Sequence, residues 1–311
     1  MKQEARSFMA EQFTTISRNW WYSFLNMKNS ATLRYLFALF LYGTIGFFLH
    51  FVKYSSEFVV LCRGLLGALF IGIVLLLRRK KMDLAAIRKN LKLLLLSGFS
   101  LGFNWVFLFA GYRHGIAISS LCNYMAPIIV VIIIALIYKE KITMKQIFFI
   151  CLAFVGMLLL IGVIGNSVSV DPYCVIYGLL AALGFVILVL CNRRLEGIEP
   201  LEKTLVQLSA SAAIVFPYVA INRGFPTSFD LTSSIIVLIL GFLHTGVAYI
   251  CYFSSINVLS PQSIAILGYL EPVLNFVIGV LVFREPLGFT SILGASFILI
   301  ASLGNELSHQ E

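Results

Sequence analysis

Ten stretches of this chain are predominantly apolar over the length a helix needs to cross a bilayer, and no water-soluble interior could hide them all. They fall near 33–52, 58–77, 91–110, 117–138, 147–164, 174–191, 203–221, 235–253, 262–283 and 289–304. Runs such as Ile128 to Ile137 lack the alternation that a transmembrane β-barrel writes into its strands. Helices remain as the way to satisfy the backbone in lipid. With 60% hydrophobic and 12% charged residues, the fold expected is an all-α polytopic membrane protein.

Two segments of the chain, each crossing two of these stretches, are copies of one pattern. Leu121 to Ala153 and Ile266 to Ile298 align without a gap at an offset of 145 residues, matching at Tyr124/Tyr269, Pro127/Pro272, Ile133/Ile278, Leu136/Leu281, Glu140/Glu285 and Ile147/Ile292. An offset of five spans is odd, so the second copy is inverted across the membrane. The expected organisation is therefore a cytoplasmic leader over 1–30, a first half over 31–164, a linker over 165–173, a second half over 174–304 and a cytoplasmic tail over 305–311. Residues 1–30 carry charges and no short apolar core, so no cleavable signal is expected, and Trp20, Trp21 and Tyr22 suit either an interfacial helix or a disordered tail with a few aromatics.

The net charge of +9 could suggest nucleic acid, but its distribution says otherwise. With both termini cytoplasmic, eighteen of the 23 basic residues lie on the cytoplasmic side and four on the other. That asymmetry sets orientation and implies no polyanionic partner. The six cysteines form no C-x-x-C pair and have no histidine at metal spacing, so they read as packing residues. No metal or cofactor is expected.

The run from Leu121 through Gly162, with Pro127, Glu140-Lys141-Ile142-Thr143 and Gln146, resembles the EamA half-module of the drug/metabolite transporter superfamily. Tyr269 to Gly294, with Glu271-Pro272 and Glu285-Pro286, resembles it as well, and Arg63 looks like the family's second-helix arginine. The resemblance implies ten transmembrane helices in two inverted five-helix repeats, a central cavity and alternating access. It leaves the substrate open, since the superfamily carries amino acids, toxic compounds, nucleotide sugars and other metabolites. Gln207 falls roughly where Arg63 would repeat, so the two halves are not functionally equivalent.

The candidate site is read from polar residues stranded in apolar helices. Pro127 and Pro272 each remove a backbone donor, so they mark kinks and gating points whose freed carbonyls need a wet cavity. Glu271 is a carboxyl inside a span and therefore a proton-coupling site or a contact for a substrate ammonium. Arg63 is the lone buried cation, matched either to a substrate carboxylate or phosphate or to a structural partner such as Glu271. His244 is a candidate proton relay, and Asn104, Trp105, Tyr124, Gln207, Tyr249, Tyr269 and Asn275 supply further cavity surface.

The function expected is a secondary transporter of a small organic metabolite in the cytoplasmic membrane, with amino acid export as the first candidate. Uptake or exchange of an anionic metabolite is the alternative. Protons are the candidate coupling ion, and the protein is expected to act as a monomer or a homodimer. No H-E-x-x-H, G-x-S-x-G or Walker motif points to an enzyme, and no ring of like charges points to a channel.

Overall fold

In the computed structural model, residues 28–78, 82–138, 143–160, 170–221, 224–256, 258–259, 267–268, 270–285 and 288–308 are described, and among them every regular element is helical. Six helices are long and apolar enough to cross a membrane: Ala31–His50, Ser56–Leu77, Leu91–Tyr112, Pro172–Arg193, Pro200–Ile221 and Leu231–Ser255. Shorter apolar helices occupy the positions of the other four spans. The protein is an all-α polytopic membrane protein.

In chain order the helices are α1 (Lys28–His50), α2 (Ser56–Leu77), the short α3 (Leu84–Lys89), α4 (Leu91–Tyr112), α5 (Ile116–Asn123), α6 (Ala126–Tyr138), α7 (Met144–Leu160), α8 (Pro172–Arg193) and α9 (Pro200–Ile221). The eighth span is α10 (Leu231–Gly241), a π-helical segment Phe242–Val247, and α11 (Ala248–Ile256). The ninth is α12 (Leu270–Val277) with a π segment Ile278–Val282, and α13 (Phe289–Ser308) is the tenth.

Which helices touch reveals the duplication. The third span packs on the sixth as the eighth packs on the first, and the fourth packs on the sixth as the ninth packs on the first. Exchanging the halves maps each contact onto the other, while the pairs second–seventh and fifth–tenth map onto themselves. Two inverted repeats about an axis in the membrane plane have this symmetry.

Small residues set the closest approaches. A Cβ on Gly184 of α8 would sit 2.9 Å from the backbone nitrogen of Asn104 on α4, so only glycine fits there. Gly156 of α7 and Gly294 of α13 face each other similarly; a Cβ on Gly156 would lie 2.8 Å from the Gly294 carbonyl oxygen. In lipid, where apolar burial gives little net drive, such close backbone packing is a main source of helix association.

The fourth span is interrupted at Tyr124-Met125, between α5 and α6 and just before Pro127. Pro272 is buried in the first turns of α12, while Tyr269, the position expected to share its kink, lies outside the described residues. Lys139 to Lys141 and most of the 165–173 linker also lie outside them.

At the end of the bundle where α1 terminates, here called the far end, polar side chains take up unpaired helix-terminal N–H groups. Ser55 caps α2, Asp171 caps α8 and Asp230 caps α10. Asp230 also binds Lys53 at 2.9 Å, and its carboxyl is pushed down to about 2 by the Ser233 hydroxyl first and by Lys53.

Candidate functional site

Arg63 lies at the centre of the bundle with 2% of its surface exposed. Its Nε donates to Thr245 Oγ1 at 2.6 Å and its Nη2 to the His244 carbonyl at 3.5 Å, while the guanidinium lies over Trp105 at 4.2 Å and Phe109 at 5.3 Å. Stacking on aromatic faces suits a weakly hydrated planar cation, and no ammonium could reproduce the whole set.

The π segment in the eighth span presents these acceptors. Its wider turn offsets the backbone ladder, so Thr245 Oγ1 donates to Leu240 five residues back at 2.9 Å while accepting from Arg63. His244 is buried beside it, with Nε2 3.3 Å from Thr44 Oγ1, Nδ1 3.4 Å from the Ile239 carbonyl, and its ring against Phe48.

Glu271 approaches from α12 and accepts a hydrogen bond from Tyr124 at the α5–α6 break. Its charge and that of Arg63 act on each other, yet the described residues contain no ion pair between them. Tyr42, Tyr112 and Tyr249 lie within the field of both charges. Tyr42 packs its ring against Tyr249 at 5.9 Å and Tyr252 at 6.2 Å, and Tyr35 continues the series at 5.5 Å from Tyr252 toward the near end. An aromatic-walled centre thus holds a positive pole on α2 and a negative pole on α12.

Other expected residues go elsewhere. Asn104 Nδ2 donates to Asn123 Oδ1 at 3.0 Å and to the Ala181 carbonyl at 2.8 Å, and Gln207 Nε2 donates to Ser97 and Asn192 at 2.8 and 2.7 Å. Both tie α8 to its neighbours. Asn275 is fully buried one turn beyond Glu271, and Trp105 is the platform under Arg63. Tyr42, Thr44, Tyr112 and Thr245 join the centre without having been singled out in the sequence. Only their polarity within apolar spans marked them, and most such residues pack between helices.

Away from these charges, a groove of about 530 Å³ runs between α2, residues 226–229 and α10, lined by Phe58, Leu65, Phe229 and Leu238 among others. Its lining holds no charged residue.

Aromatic and polar contacts link the helices at the far end. Phe283 stacks on His50 at 4.1 Å and meets Phe47 and Phe51. Glu285 accepts from the N–H groups of Ile116 and Ala117 at 2.6 and 3.1 Å. Arg113 donates to Ser56 at 3.0 Å and to the Tyr54 carbonyl.

An all-α polytopic membrane protein built from two helical repeats has the architecture of a membrane transporter of small molecules. The chain belongs to the EamA-like transporter family, whose pattern matches it twice, over residues 29–162 and 172–305. It is similar to the uncharacterized transporter YxxF of Bacillus subtilis (strain 168), at 27% identity over 81% of each chain. It also resembles Protein PecM of Dickeya dadantii (strain 3937), at 26% identity over 78% of this chain and 81% of that one. A crystal structure with 17% sequence identity superposes with a TM-score of 0.61, covering 91% of this chain and 99% of its own, which supports the fold.

Proposed function

We propose that this protein is a secondary transporter for a small zwitterionic metabolite, an amino acid or close relative, exported across the cytoplasmic membrane by alternating access. The observation that carries the reading is the separation of Arg63 from Glu271. Each has neutral hydrogen-bond partners, Thr245 and the His244 carbonyl on one side and Tyr124 on the other, and no ion pair joins the two. Opposite ionisable groups that do not touch in a low-dielectric centre are costly to charge alone and favourable around a ligand carrying the complementary pair. The substrate carboxylate meets Arg63, its ammonium meets Glu271, and the tyrosines face its apolar body.

The same arrangement disfavours a purely anionic cargo, which would place negative charge against Glu271. Both termini lie on the cytoplasmic side in this reading, which puts the far end outside and makes the present state closed to the exterior. The positive-inside asymmetry supports that orientation. Protons are the candidate coupling ion through Glu271.

The test is counterflow in proteoliposomes against a panel of labelled amino acids, their amides and nucleotides. Saturable counterflow of zwitterions above that of amides and nucleotides is expected. Absence of saturable flux for every compound would remove the carrier reading, and preference for nucleotides would replace the substrate class.

A further inference from the structure

Glu285 sits in a place built for a carboxylate. Its two oxygens take the N–H groups of Ile116 and Ala117, the first unpaired donors of α5, at 2.6 and 3.1 Å. Two backbone donors at a helix start suit any carboxylate, whether from a side chain or a ligand. The site therefore has an occupant that a competing anion could replace.

Two independent features set this contact apart from an ordinary helix cap. Arg284, which delivers Glu285, has φ 54, the one positive-φ residue other than glycine among the described residues. A left-handed conformation at a side-chain-bearing residue is strained and persists only where the surrounding contacts hold it. One turn deeper than Gly279, Asn275 is 0% exposed, and neither its Nδ2 nor its Oδ1 finds a hydrogen-bond partner among the described residues. A buried amide left unsatisfied at both ends is costly, and a polar group brought to it would be bound favourably.

These features lie on one face. Asn275 and Gly279 are four residues apart, so they project from the same side of the ninth span. A Cβ on Gly279 would lie 2.8 Å from Glu285 Oε1 and 2.9 Å from the Ala117 nitrogen. A Cβ on Gly46 of α1 would lie 3.3 Å from Asn275 Oδ1 and 2.8 Å from the Ile116 side chain. The orphan amide and the occupied N–H pair thus share one narrow seam between α1, α5 and the ninth span, leading from Glu271 toward the far end.

We propose that the N–H pair of Ile116 and Ala117, with the Asn275 amide one turn deeper, forms an outer site for the carboxylate of the transported metabolite, filled by Glu285 in the closed state. The assignment of the ligand as cargo rests on the transporter reading. Leaving the centre toward the far end, the substrate passes Asn275, which binds it by hydrogen bonds, and then exchanges with Glu285 at the N–H pair. One carboxylate replaces another, so no helix-terminal donor is left bare. A ligand that binds the released state and not the closed one shifts the gate by that difference in affinity.

The experiment uses the full chain in detergent micelles and reads thermal unfolding. Glu285→Ala vacates the site and is expected to lower the unfolding temperature. Sodium acetate should restore it, whereas acetamide and sodium chloride at the same concentration should not, and wild type should not respond. Adding Asn275→Leu should weaken the half-saturating acetate concentration by roughly fivefold, the loss of one net hydrogen bond. Equal effects of acetate and chloride, or an acetate effect untouched by Asn275→Leu, would overturn the proposal.

If Glu285→Ala does not fold, Glu285→Gln retains an acceptor for the N–H pair without the charge. Amide exchange at Ile116 and Ala117 then reports the site: slowing by acetate and not by acetamide supports it, and no difference overturns it. Acetate binding with no flux of any carboxylate would sink the transporter reading and leave the site standing. Carboxylate flux without acetate binding would sink only the site.

Discussion

Arg63 keeps its charge in the middle of the bundle on hydroxyl, carbonyl and aromatic partners alone. Lysine in its place keeps the charge but cannot bind Thr245 and the His244 carbonyl while lying flat on Trp105. Arg63→Lys is therefore expected to fold, with an unfolding temperature near that of wild type, and to lose counterflow by about tenfold, roughly 1.4 kcal/mol of binding. Glu271→Gln keeps an acceptor for Tyr124 and removes the negative pole. Flux driven by a pH gradient should disappear in this variant while it remains folded, and unchanged gradient-driven flux would leave Glu271 without a coupling role. At the far end Asp230 obeys a different rule, because its folded pKa, about 2, is depressed below the ordinary 3.8. Its contribution is present above about 4 and is lost as pH falls toward 2. Thermal unfolding across that interval should show a loss in wild type that Asp230→Asn lacks.

At the scale of elements, the least regular helices position the chemistry. The π segment Phe242–Val247 turns the His244 carbonyl and Thr245 toward Arg63, and the π segment Ile278–Val282 precedes the strained residue that delivers Glu285. Neither is legible in the sequence, since one extra residue in a helical turn leaves no mark in an apolar run. The interruption before Pro127 is legible, because proline removes a donor wherever it stands. Asn104 and Gln207 look like cavity residues on polarity alone, and their partners Ala181, Ser97 and Asn192 are contacts that only the packing of α8 makes visible. The α7–α13 crossing gives a separate prediction. Gly294→Val drives a branched side chain into the backbone of α7, and such overpacking costs about 1–3 kcal/mol. The unfolding temperature should fall, while Ile292→Val, on the exposed face of α13, leaves it unchanged.

For the whole molecule, the architecture was readable because two long-range patterns constrain it: the inverted repeat at an offset of 145 residues and the uneven distribution of basic residues. The contact pattern repeats the first, pairing the spans as an inverted two-fold requires. The chemistry of the centre was readable only in part. Arg63 and Glu271 stand out as charges in apolar helices, but their separation depends on how α2 and α12 are set against each other across the repeat. That separation is the core of the account, and discrimination among ligands measures it most directly. Counterflow of one zwitterionic amino acid, its amide and its decarboxylated amine should be compared in wild type, Arg63→Lys and Glu271→Gln. Wild type is expected to prefer the zwitterion over both analogues, Arg63→Lys to lose the preference over the two analogues lacking a carboxylate, and Glu271→Gln to carry the zwitterion poorly. Equal transport of all three compounds by wild type, or an unchanged preference in both variants, would contradict it.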